Sequence, residues 1–277
     1  MTVPAFARGL CDDAAVFPPG SMPLPDAVPA HRAHKRAGYA ELVGSFVVAA
    51  PMLDDLRALP GDPLSLIVTA PEGPRQAAEA AGAEGVRSVE VAVPAGMPVD
   101  VFFAELRQVK GTTVVVEVPR DERRAQIVAG LAGTDMKAKF RTGGVRAEMY
   151  PDEGELAAAI KAVVDADVPF KATAGLHHAV RNTDPETGFE QHGFLNVLLA
   201  VDDALDGRSE GELARTLGER DGAVLADRVR RLDGARVAAV RSRFLSFGTC
   251  SIADPLTDLV TLGLFPAALA ESEGDVR

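Results

Sequence analysis

Short runs of β-branched residues alternate with alanine- and leucine-rich helical stretches along most of the sequence. This alternation predicts βαβ units and a parallel sheet. The predicted strands lie at 6–11, 44–49, 64–69, 88–93, 113–118, 137–142, 169–173 and 245–250. The helices predicted between them include 76–83, 99–109, 121–132 and 152–165. Eight strands in 277 residues favour an α/β fold of the closed (β/α)8 TIM-barrel type, which usually takes about 250 residues. An open doubly wound sheet is the alternative.

Two regions interrupt the alternation. Residues 17–34 contain five prolines and are predicted to form an irregular loop after the first strand. Residues 189–244 separate the seventh and eighth strands, with helix-like segments at 192–205, 210–217 and 224–232. Because this segment follows the carboxyl end of a strand, we predict an inserted helical cap, a lid or wall at the barrel mouth. The whole of 1–277 is predicted to be a single barrel domain.

The composition excludes several classes of protein. A net charge of −11 argues against nucleic acid or an anionic membrane as the main partner, because both attract clustered Lys and Arg. Two cysteines cannot form a disulfide framework, and no apolar run approaches the roughly 20 residues of a membrane span. The first residues lack the pattern of a signal peptide. We therefore expect a soluble cytoplasmic protein, and leave homo-oligomerisation open.

Cationic side chains in the sixth and seventh strands are the main functional signal. Successive side chains of a strand point to opposite faces. The alternating Phe and Ala of these strands suit the outer, helix-packed side, so Lys139, Arg141, Lys171 and Thr173 should point into the barrel. Burying such cations costs several kcal/mol unless each is paired or used. The pattern therefore predicts a site at this end of the barrel.

Carboxylates are available to these cations. Glu90 and Glu117 occupy corresponding places in the fourth and fifth strands, and Asp12 and Asp13 follow the first strand. One interpretation is a structural Lys–Glu network that fills the barrel. In the functional interpretation, burial and cationic neighbours lower the pKa of one lysine, which acts as a nucleophile or base. Glu117 or Asp13 would then move protons, and the other cations would hold an anionic substrate.

Glycine-bearing turns follow both lysine strands. Thr142, Gly143 and Gly144 follow the first, and Gly175 follows the second. Backbone N–H groups in such turns can approach a phosphate or carboxylate, and late barrel strands often carry an anion site. We predict that these residues and Gly248 of the eighth strand contact a small anionic substrate; simple turns are the alternative.

Three of the five histidines lie close together in sequence. His177 and His178 follow the seventh strand, and His192 shares a predicted helix face with Asn196. We predict acid–base roles for His177 and His178, and substrate contacts for His192 and Asn196. In the alternative, His177 or His178 binds a divalent metal together with His192 and a carboxylate. No cofactor is predicted otherwise.

The remaining reactive side chains receive structural predictions. Cys11 and Cys250 are expected to approach each other where the first and eighth strands pair, as small buried residues. His31 and His34 lie beside basic residues and are expected on a solvated helix.

Two resemblances involve these segments. The motifs GLCDDAAVFPPG, KFRTGG, FKATAGLHH, HGFLN and SFGTCS together resemble a family of uncharacterised bacterial barrel-like proteins, which supplies no activity. The sixth and seventh strands are also similar to class I deoxyribose-phosphate aldolases, which are TIM barrels with a Schiff-base lysine. That resemblance implies Lys139 as the Schiff-base residue, Lys171 as the lysine that lowers its pKa, and Gly175 in a phosphate-binding turn. Phe140 and Arg141 depart from the aldolase pattern, which has a small polar residue there.

Three hypotheses follow. The first is a lysine-dependent, aldolase-type lyase that acts on a small phosphorylated or carboxylated carbonyl compound. The second is the metal-dependent hydrolase, isomerase or lyase. The third is a non-catalytic barrel that binds a small anion. Convergence of Lys139, Arg141, Lys171 and a histidine on one cavity would favour an enzyme.

Overall fold

Strand β1 pairs in parallel with both β2 and β10, and these two pairings close an eight-stranded barrel. The computed structural model describes residues 2–271. The barrel strands, all parallel, are β1 (Cys11–Asp13), β2 (Val43–Ala49), β3 (Leu66–Ala70), β4 (Val86–Ala92), β5 (Thr113–Glu117), β6 (Lys137–Arg141), β7 (Phe170–Thr173) and β10 (Phe244–Thr249). A separate antiparallel hairpin contains β8 (Asn182–Thr183) and β9 (Glu190–Gln191). The predicted (β/α)8 TIM-type barrel is confirmed.

Helices follow the barrel strands as the alternation predicts. They are α1 (Leu24–His34), α2 (Leu53–Ala58), α3 (Pro74–Ala81), α4 (Val99–Leu106), α5 (Arg124–Leu131), α6 (Glu153–Asp165), α7 (Phe194–Leu205), α8 (Glu210–Gly218), α9 (Gly222–Arg231), α10 (Gly234–Arg243), α11 (Ala253–Thr261) and α12 (Ala267–Ala270). Helix α6 shows the local cause: Asp152 accepts a 2.7 Å bond from the Glu155 N–H at its start. Its buried Leu156, Ile160 and Val163 recur at helical spacing. No helix within residues 2–271 is long and apolar enough to cross a membrane.

The first strand lies later in the chain than predicted. A short 3-10 helix occupies Ala5–Ala7, and the strand begins only at Cys11. Gly9 has φ 58°, a left-handed conformation that an extended strand does not contain. The two aspartates therefore lie within β1 and face opposite sides, whereas the sequence predicted that both follow the strand.

Residues 17–34 are not wholly an irregular loop, because α1 occupies their second half. Its buried residues are Leu24, Ala27, Val28 and His31, which is the spacing of one helix face. Pro25 lies in the first turn of α1, where a backbone N–H would have no acceptor within the helix. Proline, which lacks this N–H, is therefore tolerated there. His31 is thus buried, and the prediction that it lies on a solvated face is wrong.

The segment between β9 and β10 is an outer layer of the barrel. Residues 194–201 of α7 are all buried, so this helix is covered on every side and does not suit a lid that faces solvent. Phe194 stacks on Phe247 of β10, with ring centroids 4.9 Å apart. No residue of 189–244 lines the barrel-mouth cavity within the part of the chain that the structure describes. The predicted helical insertion between the seventh and eighth barrel strands is confirmed, and its helices α7 to α10 lie outside the wall of this cavity.

Candidate functional site

The carboxyl ends of the strands surround a cavity of about 440 Å³. All eight barrel strands, or the loops directly after them, contribute to its wall. The polar side chains of the wall are Thr69, Glu90, Glu117, Lys139, Arg141, Lys171, Thr173, His177 and Cys250. This is the end of a barrel where reactive groups are usually found.

The predicted inward direction of the cations is confirmed. Lys139 and Lys171 are neighbours across the β6–β7 pair and are 3% and 4% exposed. Phe140 and Phe170, on the opposite faces of the same strands, contact each other with centroids 5.3 Å apart. Aromatic packing on the outer side therefore fixes both lysines inside the barrel.

Six side chains form a row of alternating charges, which we call the charge network. Its members, in order of contact, are Asp12, Lys171, Glu90, Lys139, Glu117 and Arg141. Lys171 Nζ lies 2.7 Å from Asp12 Oδ2 and 2.6 Å from Glu90 Oε1. Lys139 Nζ lies 2.7 Å from Glu90 Oε2 and 2.9 Å from Glu117 Oε2. Three cations balance three carboxylates, so burial is offset by pairing.

The pKa values of the lysines are raised, not lowered. Burial alone would lower the pKa of Lys139, but the charges of Glu117 and Glu90 outweigh it. Burial acts in the same sense on Lys171, and Asp12 and Glu90 raise its pKa. The prediction of a lysine pKa lowered by cationic neighbours is wrong, because the nearest charged groups are carboxylates. Both lysines are ammonium ions in the resting protein.

The carboxylates between the lysines are held ionised. Burial favours the neutral form of Glu90, but the charges of Lys139 and Lys171 lower its pKa to about 2. Burial is opposed in the same way at Glu117, where Lys139 and Arg141 lower the pKa to about 2. Glu90 Oε1 lies 2.6 Å from Lys171 Nζ, so this buried oxygen is paired with a cation.

Asp12, not Asp13, belongs to the site. The Asp12 carboxylate accepts bonds from Lys171 Nζ (2.7 Å), Ser246 Oγ (2.6 Å) and the Ser45 N–H (3.2 Å). Asp13 accepts from His31 Nδ1 (2.9 Å) and the Ala15 N–H (3.1 Å), and so anchors α1 to β1. In a strand at 11–13, the alternation of side chains would place Asp12 inside the barrel and Asp13 outside. The predicted strand ended at residue 11, so the sequence did not distinguish the two aspartates.

The two adjacent histidines separate. His177 lines the cavity, with Nδ1 3.8 Å from Cys250 Sγ, and burial lowers its pKa. The His178 side chain is 47% exposed and pairs with Asp258 at 3.1 Å. His178 is not part of the cavity wall, so its position does not support the predicted catalytic role. The strands β1 and β10 pair as expected, but Cys11 is opposite Phe247, and Cys250 is only partly buried.

His192 and Asn196 are structural residues. His192 Nε2 donates to Pro151 O at 2.8 Å, and its Nδ1 accepts from Arg181 Nη1 at 3.2 Å, which defines a neutral ring. Asn196 accepts from the Arg181 N–H and donates to two carbonyls at the end of α8. Neither lines the cavity, so their positions do not support the predicted substrate contacts. Within residues 2–271, no group of three or more His, Cys, Asp or Glu could hold a metal ion.

The glycine turns mainly hold the loops together. A Cβ on Gly143 would lie 2.8 Å from Gly175 Cα, so these two backbones are packed against each other. The buried Thr142 donates to Ala174 O at 2.6 Å, and Ala174 has φ 62°. Of the predicted anion-binding residues, Thr142, Gly143 and Gly175 support the turns. Four others line the cavity: Arg141, Gly144, Thr173 and Gly248.

Comparisons with protein-family models, curated proteins and solved structures found no match for this chain.

Proposed function

We propose that this barrel is a cytoplasmic lysine-dependent lyase of the class I aldolase type, which forms a Schiff base with a small anionic carbonyl compound. The proposal depends on one observation. Lys139 Nζ lies on the floor of a cavity with Glu90 and Glu117 within 2.9 Å, directly below Arg141 on the same strand face. Nucleophile, proton acceptors and an anion-binding cation therefore share one enclosed space.

Lys139 is a better nucleophile than Lys171 because of its partners. The Asp12 carboxylate accepts three bonds, one of them from Lys171, so its position beside the Lys171 ammonium is fixed. Glu117, a partner of Lys139, is 23% exposed at the cavity and divides its two oxygens between Lys139 and Arg141. A substrate anion that binds Arg141 weakens the electrostatic attraction between Arg141 and Glu117. Glu117 then accepts the Lys139 proton more easily.

Imine formation balances within these residues. Lys139 passes a proton to Glu117, and its neutral amine attacks the carbonyl carbon. The former carbonyl oxygen takes one proton back from Glu117 and a second from the attacking nitrogen, and it leaves as water. The nitrogen keeps its third proton and ends as a protonated imine. The Lys171 ammonium, opposite Lys139 in the strand pair, stabilises negative charge that develops on the oxygen.

Carbon–carbon cleavage then uses the protonated imine as an electron acceptor. The electron pair of the broken bond moves towards the imine nitrogen, and a base takes the proton of the adjacent hydroxyl group. His177 suits this role, since it lines the cavity and burial favours its neutral form. The departing fragment is an aldehyde or ketone.

The positions of the charged residues also favour an enzyme over a binding module. Lys139, Arg141, Lys171 and His177 all line one cavity. A purely structural network would need no access to that space.

Borohydride trapping tests the proposal. The protein is reduced in the presence of pyruvate, longer α-keto acids, acetaldehyde and glycolaldehyde phosphate, and peptides are analysed by mass. We expect one adduct, on Lys139, that disappears in Lys139→Met. Lys137→Met is the matched control, because Lys137 lies two residues earlier on the same face of β6 and outside the cavity wall. Failure to trap any of these carbonyls on Lys139 would contradict the proposal.

A further inference from the structure

The cavity wall divides into a charged side and an apolar side. Charged groups come from β4 to β7, above Asp12 of β1. The side formed by β1 to β3 is apolar, with Phe17, Val47, Ala49 and Pro71, and Ala92 of β4 continues it; Val145 and Met149 add apolar surface after β6. Thr69 is the one hydrogen-bonding side chain on this side among the residues that line the cavity.

The apolar side discriminates between ligands. A hydroxyl group buried against it loses its bonds to water and gains none, which costs roughly tenfold in affinity or more. Each methylene placed there gains about threefold to fourfold. The wall therefore suits a hydrocarbon chain and opposes a polyhydroxylated one.

The charged side determines where the anionic group lies. Arg141 Nε is 3.0 Å from Glu117 Oε1, while Lys139 Nζ is 2.9 Å from Glu117 Oε2. Two cations that share one carboxylate are close enough to contact adjacent groups of one small molecule. The Arg141 Nη groups make no hydrogen bond to residues 2–271, and the side chain is 36% exposed at the cavity. A carboxylate can occupy these donors, as guanidinium geometry favours.

We propose that the ligand is an α-keto acid with a mainly hydrocarbon side chain, which carries no hydroxyl group other than the one that carbon–carbon cleavage requires. Its carboxylate would bind Arg141, its adjacent carbonyl carbon would face Lys139, and its hydrocarbon chain would lie on Val47 and Ala92. The assignment of the carbonyl rests on the proposed function. The assignment of carboxylate and chain rests on the wall alone.

A matched pair of simple acids separates these parts, because neither contains a carbonyl that could form an imine. Hexanoate and gluconate have the same number of carbons and the same carboxylate, and differ in the hydroxyl groups of gluconate. We expect hexanoate to raise the thermal midpoint of the full chain and to bind at least about tenfold more tightly than gluconate. Equal binding, or binding of neither acid, would overturn the inference.

Variants locate the ligand. Val47→Thr keeps the side-chain volume and replaces a methyl group with a hydroxyl group. It should weaken hexanoate binding about threefold or more and should weaken gluconate binding by a smaller factor. Val48→Thr is the control, because Val48 is the next residue of β2, faces away from the cavity and is absent from its wall. Arg141→Gln should remove hexanoate binding. An unchanged hexanoate affinity in both Val47→Thr and Arg141→Gln would overturn the inference.

The trapping result distinguishes the two proposals. Hexanoate binding together with a Lys139 adduct of α-ketohexanoate supports both. Hexanoate binding without any adduct overturns the lyase and leaves a barrel that binds apolar carboxylates. An adduct with glycolaldehyde phosphate, but none with α-ketohexanoate, supports the lyase and overturns the ligand assignment.

Discussion

The charge network and a second buried polar cluster differ in whether their polar atoms keep hydrogen-bonding groups without a protein partner. We call the second the outer cluster; it contains Arg181, His192, Asn196 and Glu153. Arg181 donates to His192 and pairs with Glu153 at 2.7 Å, and Asn196 accepts from its backbone N–H. Each of these groups has a protein partner, and none lines the cavity.

The charge network is buried as deeply but is not closed. Among the described residues, the Arg141 Nη groups have no hydrogen-bond partner, and the lysines face the cavity. Burial of polar side chains therefore does not identify a functional site, since both clusters have it. We expect spare hydrogen-bonding capacity beside an open space to be the better guide to a functional site.

The largest contrast is expected for one substitution made in both clusters. Glu117→Gln keeps the shape beside Lys139 but removes the proton acceptor, so imine trapping should slow by about 10²–10⁴-fold. Glu153→Gln makes the same change beside Arg181 and should leave the trapping rate unchanged. The measurement is the rate of adduct formation at saturating carbonyl compound, across pH. Equal rates in the two variants would remove the distinction between the clusters.

Buried charge gives the next contrast, in stability. Lys171→Met leaves Asp12 and Glu90 without a shared cation and should cost about 3–5 kcal/mol of unfolding free energy. Arg181→Met should cost about 1–3 kcal/mol, because its carboxylate partner Glu153 is one-third exposed and remains partly solvated. Urea unfolding measures both. Adding Asp12→Asn to Lys171→Met should recover part of the loss; a further loss would contradict the ion-pair account.

Sequence reasoning was successful where local rules decide the outcome. Strand alternation placed Lys139 and Lys171 inside the barrel, because Phe140 and Phe170 need the helix-packed side. The alternation of strands and helices likewise predicted the barrel. These features depend on neighbours a few residues away.

Long-range contacts explain the failures. Asp12 accepts hydrogen bonds from Ser45 and Ser246, which are 33 and 234 residues away in the sequence. The pKa direction of the lysines depends on carboxylates that approach them only when the barrel closes. His192 shares its helix face with Asn196 as predicted, but that pattern does not reveal which neighbour the face meets.

Acid should destabilise the two clusters in different pH windows. Burial lowers the pKa of His192 to about 4 from 6.5, so the unfolded chain binds this proton first and stability falls between those values. The loss amounts to about 3 kcal/mol. Glu90 and Glu117, with pKa values of about 2 against 4.5, remain charged in the folded protein while the unfolded chain protonates. Their contribution is lost as pH falls from 4.5 to 2.

Urea unfolding between pH 7 and pH 2 checks these windows. His192→Gln should flatten the upper window and leave the lower one. Glu117→Gln should reduce the lower window and leave the upper one. A curve that His192→Gln does not alter between pH 6.5 and pH 4 would show that this ring is not the neutral, buried group described above.

The smallest effect is expected at His178, which alternation predicts to point away from His177. Asp258 retains the Ala179 N–H as a donor at 2.8 Å when the His178 ring is removed, so no carboxylate is left unpaired. His178→Ala should change the unfolding free energy by less than about 0.5 kcal/mol, because exposed ion pairs contribute little. His178→Ala should not affect trapping. His177→Ala removes a base from the cavity and should slow the cleavage of compounds that form an imine with Lys139. Equal slowing of cleavage by His178→Ala and His177→Ala would contradict this comparison. It would show that a polar residue need not reach the cavity to contribute to the proposed reaction.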